Sequence, residues 1–315
     1  MKKSKLRKAL IDIPVIYYSY YRIKNLLNRL VYNDFDFYKK NYRKTHGEYP
    51  DLKNPKSFSE KLVWSLLNYR DKRFIQFADK YDVKEFIKNC IGEKYIIKTY
   101  ELYNKLEEIN IDKLPNSFVL KATHASGWNL ICNNKKEFNQ EKTKRILKYW
   151  LKHSYYSTNR EWPYKYMKKR IICEEYIGSD DGTPPMDYKI FCFEGEPKLI
   201  QLDINRFQDH KRNIFDISWN QIKNVEIAHE QDYSKVYEKP RNLEEMLDIA
   251  RKLSNGFEHV RIDLYNMDGK IYFGEMTFFH GAGIFEYFRP KEFHILVGSW
   301  FNLPKANIDS FYDKQ

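Results

Sequence analysis

The 315-residue chain has only four cysteines, Cys90, Cys132, Cys173 and Cys192, and no two of them form a close Cys-x-x-Cys pair. Each lies in or beside an apolar pattern, so they read as reduced, buried thiols; a disulfide framework and a cysteine-based zinc site are excluded. No apolar run reaches the roughly 18 residues of a membrane-spanning helix. The best apolar stretch, residues 13–21, is short, tyrosine-rich and broken by Pro14. Lys2, Lys3, Lys5, Arg7 and Lys8 precede it, but Asp12 interrupts it and no small-residue cleavage site follows, so no secretion signal is expected. A G-x-G-x-x-G sequence is missing, as is a glycine-flanked loop ending in Lys-Ser/Thr, which argues against Rossmann and P-loop nucleotide sites. Internal repeats, low-complexity tracts and helix-turn-helix, zinc-finger or RNA-binding signatures are also lacking. Since Lys and Arg are spread along the whole chain, no nucleic-acid partner is expected.

What is present is a globular composition. Hydrophobic residues at 42% and charged residues at 31% exclude disorder, and the length suits two or three compact lobes. The formal charge of +12 calls for anionic company: nucleotide phosphates, an anionic lipid surface or an acidic polysaccharide. Aromatic residues, at 17%, suit core and groove lining, or stacking surfaces for sugars and bases.

Residues 1–58 form a basic, aromatic leader. Tyr20, Ile23, Leu27 and Leu30 share one helical face, with Arg22, Lys24, Asn25 and Arg29 elsewhere. Such a helix packs on the body, or lies on an anionic membrane through residues 1–33. Val83, Phe86, Ile87, Cys90 and Ile91 repeat at helical spacing, with Asp82 and Glu85 as a capping pair and Gly92 as the stop. Strands are expected over residues 95–99, 118–121, 128–132 and 170–177. A helix is marked by Ile146, Leu147, Trp150 and Leu151, and another by Leu243, Met246, Leu247, Ala250 and Leu253 with Asn242 and Glu245 as caps. Two hairpins are expected: residues 187–193 with 197–205 around Glu194-Gly195, and residues 259–266 with 270–278 around residues 267–269. The class is mixed α/β with antiparallel hairpins.

Three constellations carry chemistry. In the second hairpin the turn sets Asp263 almost opposite Glu275. Like charges opposed in this way are destabilising, and a hard cation such as Mg²⁺ between them removes the penalty. Alternation puts Arg261 on the face of Asp263 and Thr277 on that of Glu275; an exposed hairpin with solvated charges gives a similar pattern. Lys121 ends an apolar strand and opens the small-residue loop 122–127, where an ammonium and backbone N–H groups can hold phosphate, although an ordinary hairpin loop has the same composition. Glu174, Glu175, Tyr176 and Ile177 end a strand with paired acids, where a backbone edge can meet an adenine and an acid a ribose, or the strand simply stops.

The order of these segments resembles the ATP-grasp superfamily over residues 75–290. The stretch Asp79-Lys80-Tyr81-Asp82-Val83-Lys84 resembles its first phosphate-binding lysine region. Phe118-Val119-Leu120-Lys121 and its loop, with Ser126 and Gly127, resemble the second lysine and the phosphate lid. Glu174 to Ile177 resembles the adenine hinge, Asp187 a ribose contact, and Arg261, Asp263 and Glu275 the arginine and two metal-bridging carboxylates, with Arg212 a further phosphate-binding cation. More narrowly, Asn54-Pro55-Lys56-Ser57-Phe58-Ser59-Glu60-Lys61-Leu62, Ala78-Asp79-Lys80 and Asp187-Tyr188-Lys189-Ile190-Phe191 resemble the teichuronopeptide-biosynthesis (TupA-like) branch, which is associated with bacterial surface-polysaccharide loci. Two departures stand out: Thr277 replaces a usual Asn metal ligand, and the lid has Gly127 alone.

The resemblance implies an ATP-grasp fold, two α+β lobes sandwiching ATP, with a lid lobe at 118–178, a large lobe with the metal site at 179–300, a preceding region at 59–117 and a tail at 301–315. It implies a cytoplasmic ATP-dependent carboxylate–amine ligase using ATP and one or two Mg²⁺ ions through an acyl phosphate, with a leader able to lie on the inner face of the membrane. Arg261, Arg212 and Lys189 become catalytic candidates; Asp263, Glu275 and Thr277 metal ligands; Lys80, Lys121, Ser126, Gly127, Glu174–Ile177 and Asp187 nucleotide contacts. The substrates are a carboxylate and an amine, such as a uronic-acid glycan or an amino acid, with His124, Lys189, Arg206, His210 and His280 available on the acceptor side. A surface-polysaccharide glycosyltransferase is the rival enzyme, its Asp-x-Asp being Asp34-Phe35-Asp36, here expected as a solvated pair; a non-catalytic basic adaptor is the other rival.

Overall fold

The computed structural model describes residues 33–178, 185–204, 209–267, 269–285 and 287–307. The amphipathic helix expected over residues 20–30, and the membrane contact expected of it, fall outside the described residues. No described helix is long and apolar enough to cross a membrane. The chain divides into two compact units. One takes the described residues up to Phe37, Asp79–Tyr81 and Lys98–Tyr176; the other takes Tyr38–Ala78, Asp82–Ile97 and the described residues from Ile177 onward.

The first unit is built on a four-stranded antiparallel sheet of β1 (Thr99–Tyr103), β2 (Phe118–Ala122), β3 (Asn129–Cys132) and β4 (Ile171–Glu174), in the order β1-β4-β2-β3. Alternation along the two central strands sends Phe118, Leu120 and Ala122, with Ile171 and Cys173, into one core. The helix Gln140–Lys152 closes that core with Ile146, Leu147 and Trp150, one apolar stripe at helical spacing. Its start is fixed by the Asn139 side chain, which accepts the Lys142 N–H at 2.8 Å.

In the second unit β5 (Met186–Phe193), β6 (Glu196–Ile204), β7 (Lys211–Phe215), β9 (His259–Met267) and β10 (Lys270–Thr277) form an antiparallel sheet ordered β10-β9-β5-β6-β7. A separate pair joins β8 (Glu226–Ile227) to β11 (Phe288–Arg289). Both expected hairpins form, and Glu194 and Gly195 take the positive φ angles of a tight two-residue turn. The strand expected over residues 95–99 instead starts at Thr99: Gly92, at φ 107°, turns the chain into a 3-10 turn, Glu93–Tyr95, and the Tyr95 hydroxyl donates to Glu245 at 2.6 Å. The capping pairs expected at Asp82 and Asn242 also fail, because neither side chain caps its helix. Asn242 pins the β9–β10 turn instead, donating to the Gly269 carbonyl at 2.9 Å and accepting from Asn266 at 2.7 Å. The capping box that does form is Ser57 with Glu60, opening the helix Phe58–Asn68.

Helix Leu243–Ser254 covers the apolar side of the large sheet, where Cys192 lies beside the Ala250 carbonyl. On the opposite side one end is aromatic: Phe191 and Phe193 meet Phe58 at ring separations of 6.3 and 5.9 Å. The helix Lys291–Ser299 crosses beneath at Gly298, and a Cβ there would lie 2.7 Å from the Phe58 amide nitrogen and the Ser57 carbonyl carbon. Both obstacles are backbone and cannot swing aside, so Gly298→Ala should cost about 1–3 kcal/mol, seen as a lower urea midpoint with an unchanged slope.

Two histidines in this core are held neutral. Burial pushes His259 down to about 3, against a carbonyl contact to Cys192 that opposes the shift, and pushes His294 down to about 3 with help from His46. In the unfolded chain both titrate near 6.5. Their contribution to stability is therefore complete above pH ~6.5 and is lost as pH falls toward the folded values. By pH ~5 each should have removed about 2 kcal/mol. Urea melts at pH 7.5 and 5 should show that loss, and a His259→Phe variant should show roughly half of it.

Candidate functional site

In the second unit, strand register gathers charge on one side of one sheet. Asp187 and Lys189 of β5 lie opposite Asp203 and Gln201 of β6; Asp203 lies opposite Arg212 of β7; Lys189 lies opposite Asp263 of β9. Beyond them Glu275 pairs with Asp263 and Thr277 with Arg261. The side chains close the set. Lys189 Nζ donates to Asp263 at 2.6 Å and Asp187 at 2.8 Å, and stands 3.9 Å from Asp203. Arg261 grips Asp263 with two bonds of 2.6 and 2.8 Å, then reaches Thr277 at 3.1 Å and Glu275 at 3.5 Å. Arg212 Nε and Gln201 Nε2 both donate to Asp203 at 2.9 Å.

Burial differs sharply along this row. Asp263 is only 2% exposed and Lys189 6%, whereas the Glu275 side chain keeps 34% of its surface. Burial alone would lower Lys189, but the Asp187 and Asp263 carboxylates more than offset it and raise the ammonium above its usual range. Asp263 is raised by burial, and Arg261 and Lys189 pull it back. Four carboxylates thus meet three permanent cations on a largely dry face. Glu275, held by the longest bond and most open to solvent, is the acid a further cation can reach.

Magnesium fits this donor set. Among the described residues no three His, Cys, Asp or Glu side chains are gathered into a ready metal site. Mg²⁺, however, is ordinarily held by one or two carboxylates together with phosphate oxygens, not by an all-protein cage. Asp263 and Glu275, directly opposed, supply that pair. The hydroxyl of Thr277 is already engaged, accepting from Arg261 and donating to Glu275 at 3.3 Å, so it positions Glu275.

The first unit holds the lysines. The Lys80 ammonium donates to the Ala125 carbonyl at 2.5 Å and its amide to the Thr123 carbonyl at 3.1 Å, so Lys80 is tied to the loop that carries Ser126 and Gly127. Gly127, at φ 71°, turns that loop and is exposed. Lys121 Nζ sits 2.7 Å from Glu174, a carboxylate 4% exposed. Glu174, expected beside adenine or ribose, is thus the partner of a phosphate-binding candidate. Glu175 gives its amide to the Lys98 carbonyl, and Glu175, Tyr176 and Ile177 are half-buried. Asp187, expected at a ribose, is buried against Lys189.

Several expectations for other residues change. Asp36 is exposed as expected, but Asp34 is partly buried and engaged: it accepts from Arg160 at 2.6 Å and from the Tyr156 hydroxyl at 2.8 Å, which occupies the acid that a nucleotide-sugar metal site would need. His124 is a core residue bound to the Trp150 carbonyl at 3.0 Å. His210 stands 3.3 Å from Asp203 in the charged row, and Arg206 lies outside the described residues. Two acids went unread. Asp203 was hidden because the Glu194-Gly195 turn alone sets Leu202 opposite Asp187, and a bulge beside Phe191 and Cys192 shifts the pairing to Asp203. Asp79, 1% exposed, accepts from Thr123 at 2.8 Å and Tyr81 at 2.9 Å and pairs with Arg170 at 3.1 Å, fixing the segment that carries Lys80; no pattern in its neighbours announces this.

The sequence profile of the family described as TupA-like ATPgrasp matches residues 60–302. The chain belongs to that family. As a TupA-like ATPgrasp protein it carries the mixed α/β ATP-grasp fold expected from its motifs. No curated protein matches it. Solved structures similar to it include D-alanine–D-alanine ligase from Bacillus anthracis complexed with ATP, at 15% identity over 64% of this chain and 53% of that one, TM-score 0.37. The ATP-grasp ligase PsnB complexed with minimal precursor, Mg and ADP is similar at 8% identity over 70% and 57%, TM-score 0.37. N5-carboxyaminoimidazole synthase from Aspergillus clavatus, in complex with ADP and its ribonucleotide, is similar at 10% identity over 70% and 46%, TM-score 0.35. The TupA-like chain spans about half the length of these proteins.

Proposed function

We propose that the protein is an ATP-dependent carboxylate–amine ligase that acts on a bacterial cell-surface polysaccharide or one of its precursors. The observation that carries this reading is the direct opposition of Asp263 and Glu275, bridged by Arg261, on a face that also presents Lys189 and Arg212. In this reading Asp263 and Glu275 hold Mg²⁺, which when bound neutralises nucleotide phosphate charge. Lys80 and Lys121 hold phosphate oxygens; the pairing of Lys121 with Glu174 keeps its ammonium fixed until a phosphate competes for it. Glu175, Tyr176 and Ile177, the half-buried residues at the strand end, take the nucleoside. Arg261 and Arg212 face the transferred group and offset its developing charge, the main lever in phosphoryl transfer. Lys189 is a positioning residue that holds Asp263 in place.

The chemistry balances in two steps. A carboxylate oxygen of the substrate attacks the γ-phosphorus of ATP, the bond to the bridging oxygen breaks, and ADP leaves an acyl phosphate. The incoming amine then attacks the acyl carbon, phosphate departs with its electron pair, and the amine proton goes to solvent or a nearby base.

Calorimetry tests the reading: ATP and then UDP-sugars are titrated with Mg²⁺ into the native protein and a Glu275→Gln variant. Magnesium-dependent ATP binding that weakens in the variant is expected. A folded protein that ignores ATP and binds a UDP-sugar is a glycosyltransferase instead.

A further inference from the structure

The second unit contains a cavity of about 1010 Å³, at the top of the size range of small-molecule sites. One wall is a ladder of rings. His46 stacks on Tyr42 with centroids 3.9 Å apart and an interplanar angle of 8°, and meets Tyr287 at 4.3 Å and His294 at 6.0 Å. Two further tyrosines lining the cavity, Tyr49 and Tyr233, are 50% and 56% exposed.

Most of the charged side chains around the cavity are engaged within the protein. Glu48 pairs with Lys291 at 2.7 Å and Glu226 with Arg289 at 3.0 Å. Glu230 pairs with Lys211 at 3.1 Å. Glu60 accepts the amides of Asp51, Lys56 and Ser57 as part of the helix cap. An ionic ligand would have to break these pairs, whereas a neutral hydroxyl-rich one can share them, since each carboxylate retains lone pairs and each cation retains N–H donors. Two imidazoles are left incomplete. His294, 4% exposed, accepts the Ser59 amide on Nε2 at 3.3 Å, and its buried Nδ1 makes no hydrogen bond; nor does the buried Nε2 of His46. Buried polar atoms of this kind ordinarily have a partner.

We propose that this cavity binds a short neutral oligosaccharide segment, with sugar faces against the exposed tyrosines and hydroxyls on the paired charges. Ring faces take the C–H face of a sugar, while the fixed, compensated charges read its hydroxyls. Within the ligase reading, which the proposal extends, the segment is the part of the glycan that anchors the chain while its acceptor group reacts; saccharide binding itself does not depend on ligase activity.

The test is saturation-transfer NMR on the full chain with cellotriose and chitotriose at millimolar concentration, beside calorimetric titration of Mg-ATP. One or both trisaccharides should bind, and a Tyr49→Ala/Tyr233→Ala variant should bind about tenfold more weakly, with its ATP affinity unchanged. Both replaced side chains are at the surface, so the variant should fold, and its circular dichroism and melting curve check this. If neither trisaccharide binds, if binding ignores the variant, or if a tripeptide mixture binds there instead, the proposal is wrong. Saccharide binding without ATP binding would retain the site and remove the ligase reading; ATP binding without saccharide would do the reverse.

Discussion

Glu275→Gln should lower magnesium-dependent ATP turnover roughly a hundred- to a thousandfold while leaving the fold intact. The acid lies at the open end of the charged row, a third of its side-chain surface is accessible, and Arg261 Nη2 stands 3.5 Å from it. A pair of that geometry and exposure contributes at most about 1 kcal/mol, so the melting temperature should hardly move. Asp263 must behave differently, although it is the opposite half of the same proposed metal site. It is buried and takes three short bonds from Arg261 and Lys189, so Asp263→Ala strands two cations in a dry sheet and should cost about 3–5 kcal/mol. Turnover and urea melts on the two variants separate these roles. Full magnesium-dependent turnover by a folded Glu275→Gln protein would remove Glu275 from the metal site.

Lys189→Met should be nearly as damaging to stability as Asp263→Ala, by about 3–5 kcal/mol, a large share of the 5–15 kcal/mol that ordinarily holds a domain folded. Methionine fills similar space but returns no charge to Asp187 and Asp263, which lie diagonally across β5 and β9, with Arg261 still bound to Asp263. Lys189→Arg should recover part of the loss, because charge is restored but the fork does not reproduce the lysine geometry. Paired urea melts decide it: equal midpoints for the native and Lys189→Met proteins would mean the row holds itself together without the lysine.

Much of the charged row was open to inspection in the sequence because it depends on strand alternation and turn length. Gly195 and Gly269 mark the two turns, and counting back from them brings Asp187, Lys189, Arg261 and Asp263 to one side. The caps were less legible. Asp82 and Asn242 have the right residue types in the right places, yet neither side chain caps its helix, and Asn242 serves the β9–β10 turn instead, a choice made by tertiary contacts. The partnership of Lys121 with Glu174 was hidden for a similar reason: residues 123–170, with β3 and a long helix among them, separate the two strands, and nothing local connects them. Asp34 looked free because its partners Tyr156 and Arg160 come from a distant segment.

One residue makes β10 two strands in effect. A bulge falls between Phe273 and Glu275, with Gly274 as the extra residue, so Phe273 pairs with Leu264 and Glu275 with Asp263. Strict alternation would have put the aromatic ring and the carboxylate on the same side. The half-step changes the phase of the strand midway: Ile271 and Phe273 belong to the buried packing, and Glu275 and Thr277 to the charged row. Glycine suits the step because a Cβ there would meet the Asp263 carbonyl oxygen at 3.0 Å. The two halves can therefore vary separately in evolution, the first answering to core volume and the second to the charges beside it, provided the odd residue between them stays small.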